Sequence, residues 1–299
     1  MKGNSSDGFL LGCHLSIAGG FAQAIDEAEE LGNTALQFFT HAPAVWRMKE
    51  LRDEVVDRFH DRRDMSSVRF LAVHAMYLLN LASPDDALHE RSAAALIEEV
   101  RRAGRLGADA VVIHLGAHVG SGAAAGIDRI ACAVNRLINS SVWTEAPGIR
   151  LLLENTAGAG TTLGASFEEL GAVFASASDT DRIGVCLDTC HAFAAGYDLR
   201  DCHAIDATLS DFDSAVGLER LEMVHLNDSR FSRGSRRDRH AHIGRGEIGI
   251  EGIAAIVQHA QLCKLPFVLE TPKKIDGRAN ADRVNLALVR TLRMQEEAP

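Results

Sequence analysis

The sequence has no apolar run of the roughly 18 residues that a membrane-spanning helix needs, although hydrophobic residues make up 46% of its 299 positions. Its six cysteines form no Cys-x-x-Cys pair, and the start, MKGNSSDGFLLGCHLS, is not typical of a signal peptide. Cys13 and Cys186 lie within apolar runs and are most simply buried thiols. We therefore expect no membrane span and a reducing, cytoplasmic compartment.

Positive charge is also scarce, and the formal net charge is −10. Taken alone, this balance argues against a nucleic-acid partner, but the argument weakens if several of the carboxylates bind divalent cations. The charge is unevenly distributed, since residues 230–239, RFSRGSRRDR, hold five arginines and one aspartate. A solvated surface loop and a phosphate-binding loop are both consistent with that composition.

Short apolar runs alternate with helix-like segments eight times along the chain. The runs are continuously apolar, which is typical of parallel strands that are covered on both faces. A helix is predicted over 84–107, with Ser83 as N-cap and Pro84 at its first position, and another over 166–177, with Ser166 as N-cap. The apolar runs span 9–16, 35–40, 69–75, 110–116, 150–155, 183–189, 221–227 and 266–271.

Eight strand–helix units without a linker predict an α/β protein that is a single (β/α)8 barrel. We expect one domain over residues 1–299, with the barrel proper at about 9–295. A doubly wound open sheet is the alternative. However, the stretch HLSIAGG after the first apolar run does not match the glycine-rich dinucleotide fingerprint of such sheets.

Polar side chains stand at the end of every predicted strand. In a barrel these ends converge on one axis at the mouth, where active sites form. Each histidine alone would most simply be a core residue, but several carboxylates in one pocket would repel each other unless cations joined them. Imidazoles and carboxylates without a thiolate suit catalytic zinc, manganese or iron, and their number exceeds the needs of one ion. The residues are His14, Gln37, His74, His114, Glu154, Asp188, His225 and Glu270.

Two further pairs have spacings that bring them together. Asp188 and His191, in LDTCHAFAAGYD, are three apart and share one side of a helical turn. In DRHAHIG, Asp238 and His240 are two apart and face one way on an extended segment. His242 would face the same way, so spacing does not choose between His240 and His242.

The motifs GCHLSIAGG, LLLENTAGAGTTLG, CLDTCHAFAAGYD, VHLNDS and DRHAHIGRGEIG, in this order and spacing, resemble the endonuclease IV family of apurinic/apyrimidinic endonucleases. The resemblance extends to FVLETP and covers nearly the whole chain. It implies a (β/α)8 barrel with three zinc ions, with manganese as an alternative in part of the sites. One departure is HLGAH at 114–118, where the family usually reads His-Pro-Gly-Ser-His, and it puts the rigidity of that loop in doubt.

Carried over residue by residue, the resemblance implies three sets of metal ligands, with Glu154 shared between the first two. The first set is His74, His114 and Glu154; the second is Glu154, Asp188, His225 and Glu270; the third is His191, Asp238 and His240. The implied reaction is hydrolysis of the DNA phosphodiester 5′ to an abasic site, which leaves a 3′-hydroxyl and a 5′-deoxyribose phosphate. Removal of 3′-blocking groups is expected as well. Metal ions would activate the water, and Glu154 or Glu270 would assist as catalytic residues.

The resemblance also implies that the partner is double-stranded DNA with abasic sites. The side chains expected to enter the minor groove are Trp46, Arg47, Tyr77 and Leu78, although Trp46 and Tyr77 could instead pack the barrel mouth. Those expected to contact phosphates are Arg230, Arg233, Arg236 and Arg237. We expect a monomer in the cytoplasm, associated with the nucleoid when bound to DNA.

Two other functions remain open at this stage. A sugar isomerase of similar barrel build would also gather His, Asp and Glu at the strand ends around metal ions. It would not need a third ion at Asp238 and His240, nor an arginine loop. A damage-binding protein without catalysis would keep the scaffold, but the intact set of nine ligands argues against it. The roles of His14 and His242 are not assigned.

Overall fold

Eight parallel strands close into a barrel, as the sequence predicts. The structure, a computed structural model, describes residues 8–295. Around the barrel the strand order is β1-β10-β7-β6-β5-β4-β3-β2, so neighbours in the chain are neighbours in the sheet, with a small antiparallel ribbon, β8–β9, inserted between β7 and β10. The strands are β1 Leu11–His14, β2 Ala35–Phe39, β3 Phe70–His74, β4 Ala110–His114, β5 Arg150–Glu154, β6 Ile183–Asp188, β7 Leu221–His225, β8 Asp228–Ser229, β9 His240–Ala241 and β10 Phe267–Leu269.

Most helices cover the outside of the barrel and bury an apolar face against it, whereas the short α7 is almost wholly buried at the mouth. The large core between strands and helices includes Phe38, Phe59, Phe167 and Phe212, all without solvent exposure beyond 1%. Burying an aromatic or aliphatic side chain of this size contributes roughly 1.5–3 kcal/mol. The helices are α1 Phe21–Leu31, α2 Asp53–Asp64, α3 Asp86–Arg105, α4 Ala123–Ile138, α5 Ser141–Glu145, α6 Phe167–Ser176, α7 Thr189–Ala195, α8 Cys202–Ala215, α9 Gly249–Gln258 and α10 Ala281–Met294.

The interior of the barrel explains why the polar residues at the strand ends meet. Side chains alternate along a strand, so residues two apart share a face. On β5, Leu152 fills the barrel interior and Glu154 follows two residues later; on β6, Cys186 and Asp188 repeat the arrangement. A layer of apolar side chains therefore lies beneath a layer of polar ones. The apolar layer is Ala35, Ala72, Ala110, Val112, Leu152, Cys186, Met223 and Val268.

The start of α3 differs from the prediction. The helix begins at Asp86, and Asp85, not Ser83, is its N-cap, with the Asp85 side chain accepting a 2.7 Å hydrogen bond from the Leu88 amide. Ser83 instead accepts from the Asp85 amide at 3.1 Å and forms the turn before the helix. Both residue types cap well, and the sequence alone did not rank them. Pro84 consequently precedes the cap. For α6 the predicted cap is correct, because Ser166 Oγ accepts from the Glu169 amide.

The buried cysteines predicted from the sequence are observed, whereas other expectations concern residues outside the described part. Cys13 and Cys186 are fully buried, as predicted, and burial raises the pKa of Cys13 to about 12. No helix within residues 8–295 has the length and apolarity to cross a membrane. Residues 1–7 and 296–299 lie outside the described part. The prediction of one domain over 1–299 includes both stretches, and the prediction that the start is not a signal peptide includes the first. The domain assignment stays a prediction.

Candidate metal centre

The polar strand ends surround a pocket of about 340 Å³ at the mouth of the barrel. Several strands contribute their last residues, so side chains as distant in the sequence as His74 and Glu270 meet here. Asp238, Arg239 and His240 reach the pocket from the inserted segment around β9. The wall consists of His74, Tyr77, His114, His191, Asp238, Arg239, His240, Glu270 and Pro272.

Glu154 lies at the centre of the first group of potential ligands. Its carboxylate has no solvent exposure. Oε2 is 3.1 Å from His74 Nε2 and 3.4 Å from His114 Nε2. The other oxygen, Oε1, is 2.9 Å from His225 Nδ1. Both oxygens of one carboxylate thus face imidazole nitrogens from different strands, which is the arrangement that a bridging carboxylate requires.

A second group of four shares Glu154 with the first. The facing atoms of Glu154, Asp188, His225 and Glu270 all lie within 4.8 Å of one another. His225 Nδ1 is 3.4 Å from Glu270 Oε2 and 4.0 Å from Asp188 Oδ2. Three carboxylates this close, two of them on fully buried side chains, would be costly to ionise without positive charge between them.

The third group arises from the turn that follows β6. Asp188 is the N-cap of α7 and accepts a 2.7 Å hydrogen bond from the His191 amide. This cap brings Asp188 of the second group next to His191 of the third, as the three-residue spacing predicts. His191 Nε2 is 3.2 Å from Asp238 Oδ1, and His240 Nε2 is 3.5 Å from that same atom.

The hydrogen bonds of the imidazole rings show which nitrogens are available to an ion. The Nδ1 atoms of His74, His191 and His240 lie 2.7–3.1 Å from the backbone carbonyls of Ala75, Asn155 and Glu270. A carbonyl only accepts, so each Nδ1 carries a proton, and Nε2 is the nitrogen that can bind an ion once it has lost any proton of its own. Nε2 of His191 and of His240 is buried without a hydrogen-bond partner. Such orphaned nitrogens beside carboxylates fit divalent cations, and the donor set of imidazoles and carboxylates suits zinc or manganese.

Charge in the pocket is balanced by the histidines themselves in the ion-free protein. Burial opposes ionisation of Glu154, but the charges of His114 and His225 and the hydrogen bonds from His191 and His225 hold the pKa of this carboxyl well below its usual value. Burial likewise opposes charging of His191, yet Asp188, Asp238 and Glu154 raise its pKa well above the usual value. On binding, cations would replace the imidazolium protons as the positive charge beside these carboxylates.

His242, which spacing left as an alternative to His240, points to a different network. Its Nε2 is 3.0 Å from the Lys274 carbonyl and its Nδ1 is 3.1 Å from Asn285 Nδ2. The group with His191 and Asp238 therefore contains His240 and not His242. Cys190 also approaches this region, since Asp188, Cys190 and His240 form a further cluster of potential ligands. Burial raises the pKa of its thiol to about 12.

Three amide side chains support these groups: Asn155 and Asn227, which the sequence patterns did not single out, and Gln37, which they placed at a strand end without a role. Asn155 exchanges two hydrogen bonds with the backbone of Asp188, at 2.7 and 3.1 Å. Asn227 donates to Asp188 Oδ2 at 2.8 Å and accepts from the Glu270 amide at 2.8 Å. Gln37 contacts Glu270 and His225. All three are buried. The two asparagines could have been found from the sequence, because Asn155 and Asn227 follow closely on ligand candidates in LENT and HLND.

Of the four side chains predicted to enter the minor groove, two are exposed and two pack against the protein. Tyr77 is 61% exposed and leans edge-on against Phe39 at 5.0 Å. Arg47 is also exposed. Trp46 and Leu78 lie partly buried on the core, and the Arg91 guanidinium covers the Trp46 ring at 4.2 Å. Trp46 therefore packs against the protein, which was the alternative interpretation of this residue.

The predicted phosphate-contacting arginines are all exposed, but they are not equivalent. Arg233 donates to Asp198 Oδ2 at 2.8 Å, so part of its charge is already compensated. Arg237 lies over the Phe231 ring at 4.7 Å. Among the hydrogen bonds and ion pairs of the described residues, Arg230 and Arg236 have no side-chain partner. This loop leads directly into Asp238, which connects it to the pocket.

The loop at 114–118, where the sequence departs from the family motif, is held in place by hydrogen bonds of its backbone. The Gly116 carbonyl accepts from the Leu163 amide at 2.9 Å, and the Ala117 amide donates to Asn80 Oδ1 at 2.9 Å. Gly116 has φ +96, and a Cβ there would meet Asn80 Oδ1 at 2.3 Å, so only glycine fits. Leu115, in the place of the proline, is fully buried.

Known proteins match this chain along nearly its whole length. Residues 25–291 match the family described as the xylose isomerase-like TIM barrel. The probable endonuclease 4 of Halothermothrix orenii is 46% identical over 277 residues, which cover 92% of this chain and 98% of that protein. The crystal structure of endonuclease IV from Thermus thermophilus is 39% identical with a TM-score of 0.82, over 97% of this chain and 100% of that one. A D-tagatose 3-epimerase-like protein has a TM-score of 0.71 at 17% identity, over 97% and 100% of the two chains, a likeness of fold alone.

Proposed function

Because this chain belongs to the endonuclease IV family of the xylose isomerase-like TIM barrels, we propose that it hydrolyses duplex DNA on the 5′ side of abasic sites. The products would be a 3′-hydroxyl and a 5′-deoxyribose phosphate, and 3′-blocking groups would be removed at the same site. The observation that carries the proposal is the set of three adjoining ligand groups at the barrel mouth, in which Nε2 of His191 and of His240 is buried without a hydrogen-bond partner.

The nine residues would hold three zinc ions, with manganese able to occupy part of the sites. His74, His114 and Glu154 form the first site, and Glu154, Asp188, His225 and Glu270 the second. His191, Asp238 and His240 form the third. When bound, such ions lower the pKa of water to about 7 and stabilise negative charge on phosphoryl oxygens.

The two catalytic carboxylates would have different tasks because their surroundings differ. The Glu154 side chain has no solvent exposure and both its oxygens face imidazoles, so we assign it the fixed position between the first two sites. The Glu270 side chain is 15% exposed and forms part of the pocket wall. We assign to Glu270 the task of assisting the attacking water, which enters from the pocket, by orienting it.

The loops around the mouth would bind the DNA. The exposed ring of Tyr77 and the side chain of Arg47 would enter the minor groove and fill the space left by the missing base. Leu78 and Trp46 would support them from behind. Arg230, Arg236 and Arg237, with a smaller part for Arg233, would bind phosphates and offset the net charge of −10. The protein would act as a monomer in the cytoplasm, on the nucleoid when bound.

The proposal is tested by mapping the cut. A duplex oligonucleotide with one abasic site, labelled in turn at each end, is incubated beside an intact duplex, and the product ends are identified. A single cut 5′ to the lesion that leaves a primer extendable by a polymerase is expected, with none in the intact duplex. Inactivity on both duplexes together with epimerisation or isomerisation of a ketose would overturn the proposal in favour of a sugar-transforming enzyme. Tight lesion binding without any cut by metal-loaded protein would indicate a binding protein.

A further inference from the structure

Gln37 and His14 are the two residues of the polar set at the strand ends to which the proposed reaction gives no role. Gln37 lies on β2 with no solvent exposure, and its side chain reaches the polar layer beneath the pocket. Its amide touches three polar side chains. The nitrogen Nε2 is 2.8 Å from Glu270 Oε1 and 3.0 Å from His14 Nδ1, and the oxygen Oε1 is 2.9 Å from His225 Nε2.

The neighbours determine the orientation of the Gln37 amide, that is, which of them its nitrogen faces and which its oxygen faces. An ionised carboxylate only accepts hydrogen bonds, so the atom of Gln37 that faces Glu270 must be the NH₂ group. The opposite orientation would bring the amide oxygen within 2.8 Å of a carboxylate oxygen, with no proton between them. The second proton of the NH₂ group is directed to His14 Nδ1, which completes its hydrogen bonds.

With the amide fixed, the protonation of His225 follows. Gln37 Oε1 only accepts, so His225 Nε2 must carry a proton and donate it. The remaining nitrogen, Nδ1, then faces Glu154 Oε1 at 2.9 Å and Glu270 Oε2 at 3.4 Å. An ion that binds between these groups must displace a proton from Nδ1, because the one on Nε2 is held.

This arrangement is the reverse of that of three other histidines in the centre. His74, His191 and His240 bond a backbone carbonyl through Nδ1 and present Nε2. His225 has no solvent exposure and has Gln37 on its Nε2 side instead. The same amide group also occupies Glu270 Oε1, so that Oε2 is the oxygen of Glu270 nearest His225 Nδ1.

We propose that Gln37 is a positioning residue of the metal centre, which selects Nδ1 of His225 and Oε2 of Glu270 as the atoms offered to a divalent cation. The inference rests on the metal centre of the proposed function and assigns it an additional residue. Partners of this kind orient ligands, and their loss typically lowers metal affinity by about 10–100-fold. Gln37 would act on the Glu154–Asp188–His225–Glu270 site and not on the His191–Asp238–His240 site.

The experiment compares the full-length protein with the variant Gln37→Met, which keeps the length of the side chain but neither accepts nor donates. Metal content and affinity are measured by competition with a chelator, using Zn²⁺ as the probe. In parallel, protein with ¹⁵N-labelled histidine is loaded with ¹¹³Cd²⁺, and coupling of the cadmium to the ring nitrogens is recorded. Gln258→Met is the matched control, since Gln258 donates one hydrogen bond to the Leu292 carbonyl on the outside of the barrel.

The expected result is cadmium coupling to Nδ1 of His225 in the unchanged protein, and to Nε2 of His74, His191 and His240. In Gln37→Met, one class of ion should bind about 10–100-fold more weakly while the control keeps full affinity. If Gln37→Met does not fold, Gln37→Asn gives the same readout, because its shorter amide cannot reach both Glu270 and His225.

Two results would overturn the inference alone: coupling to Nε2 of His225 in the unchanged protein, or unaltered affinity for every ion in Gln37→Met. If the unchanged protein binds no ion, the metal centre itself fails and the inference with it. Activity enters none of these readouts, so a failure of DNA incision would leave the result for Gln37 standing.

Discussion

Glu154 is the residue on which the candidate centre depends most, because both its oxygens are engaged by different groups. His74 and His114 face one oxygen, and His225 faces the other. A neutral amide in its place would keep the shape of the side chain but remove the negative charge that two cations would share. The surrounding apolar layer would be unaffected.

Glu154→Gln is therefore expected to lose incision by more than the roughly 10–100-fold that loss of an outer partner costs. Its fold should be retained, since the new side chain fills the same volume. The measurement is the single-turnover cut of an abasic duplex, with circular dichroism on the same sample. Glu222→Gln serves as control, because Glu222 pairs with Arg150 at the opposite end of the barrel. Incision by Glu154→Gln close to that of the control would contradict the assignment.

Tyr77 offers a second test at the scale of one side chain. Stacking of an aromatic ring on a base contributes about 1–3 kcal/mol, so Tyr77→Ala should weaken abasic-duplex binding by about 5-fold or more. Metal content should not change, because the hydroxyl is not among the ligand candidates. Binding is measured by fluorescence anisotropy, with Met65→Ala as the control at another exposed site. Unchanged affinity would mean that Tyr77 merely packs the mouth.

Residue types at the strand ends were predictable from the sequence, whereas their atomic roles were not. That His74 and Glu154 end strands follows from the apolar runs before them. Which nitrogen of His225 would bind an ion depends on Gln37, which lies 188 positions away in the chain. The packing of Trp46 beneath Arg91 is likewise a tertiary contact that no local pattern reveals.

Helix α3 links the two loops that are expected to bind DNA. Arg102 donates to the carbonyls of Thr40 and Lys49 at 2.9 and 2.8 Å and thereby holds both ends of the loop that carries Trp46 and Arg47. Glu99 accepts from Thr40 Oγ1 at 2.7 Å and from the Met76 amide at 3.2 Å, next to Tyr77. Both charged residues are buried. One helix thus sets the relative position of both loops.

Arg102→Met should lower the free energy of unfolding by roughly 3 kcal/mol, since it removes three hydrogen bonds that the buried guanidinium donates to the Thr40 hydroxyl and to the carbonyls of Thr40 and Lys49. Amide hydrogen exchange in residues 40–52 should speed up, and binding of abasic DNA should weaken while metal content stays constant. Arg101→Met is the matched control, because within residues 8–295 Arg101 forms only an exposed pair with Glu98 on the same helix. Equal stability and exchange in the two variants would show that Arg102 does not hold the loop.

At the scale of elements, sequence patterns performed well for strands and less well for boundaries. All eight predicted strands form, although each is shorter than its apolar run, because the run continues into the loop. The start of α3 was misplaced because Ser83 and Asp85 both suit a cap and only the tertiary fold chooses between them. The ribbon of β8 and β9, which brings His240 to the pocket, is too short to show a strand pattern.

For the whole molecule, the buried charges predict how stability depends on pH when ions are absent. The pKa of Glu154 is lowered on folding, so its contribution is present above its unfolded value of 4.5 and is lost as the pH falls through the folded value. The pKa of His191 is raised, so its contribution is present below 6.5 and is lost as the pH rises through the folded value. Metal-free protein should therefore be most stable between these two values.

Thermal unfolding of chelator-treated protein should accordingly occur at lower temperature as the pH rises above 6.5. Metal-loaded protein should not show this loss, because its histidines are already neutral ligands, and it should instead release ions as the pH falls. Melting curves of the two forms from about pH 5 to about pH 9 provide the measurement. Parallel curves for both forms over that range would contradict the assignment of these side chains as ligands.

Titration of metal back into stripped protein shows whether ions held at the strand ends enable incision beside abasic sites. Incision of an abasic duplex and metal content are measured on the same samples at each step. We expect no cut without metal and a rise to a maximum at about three ions per chain, with cleavage only 5′ to the lesion. Full incision by stripped protein, or none by protein with all three sites filled, would contradict this expectation.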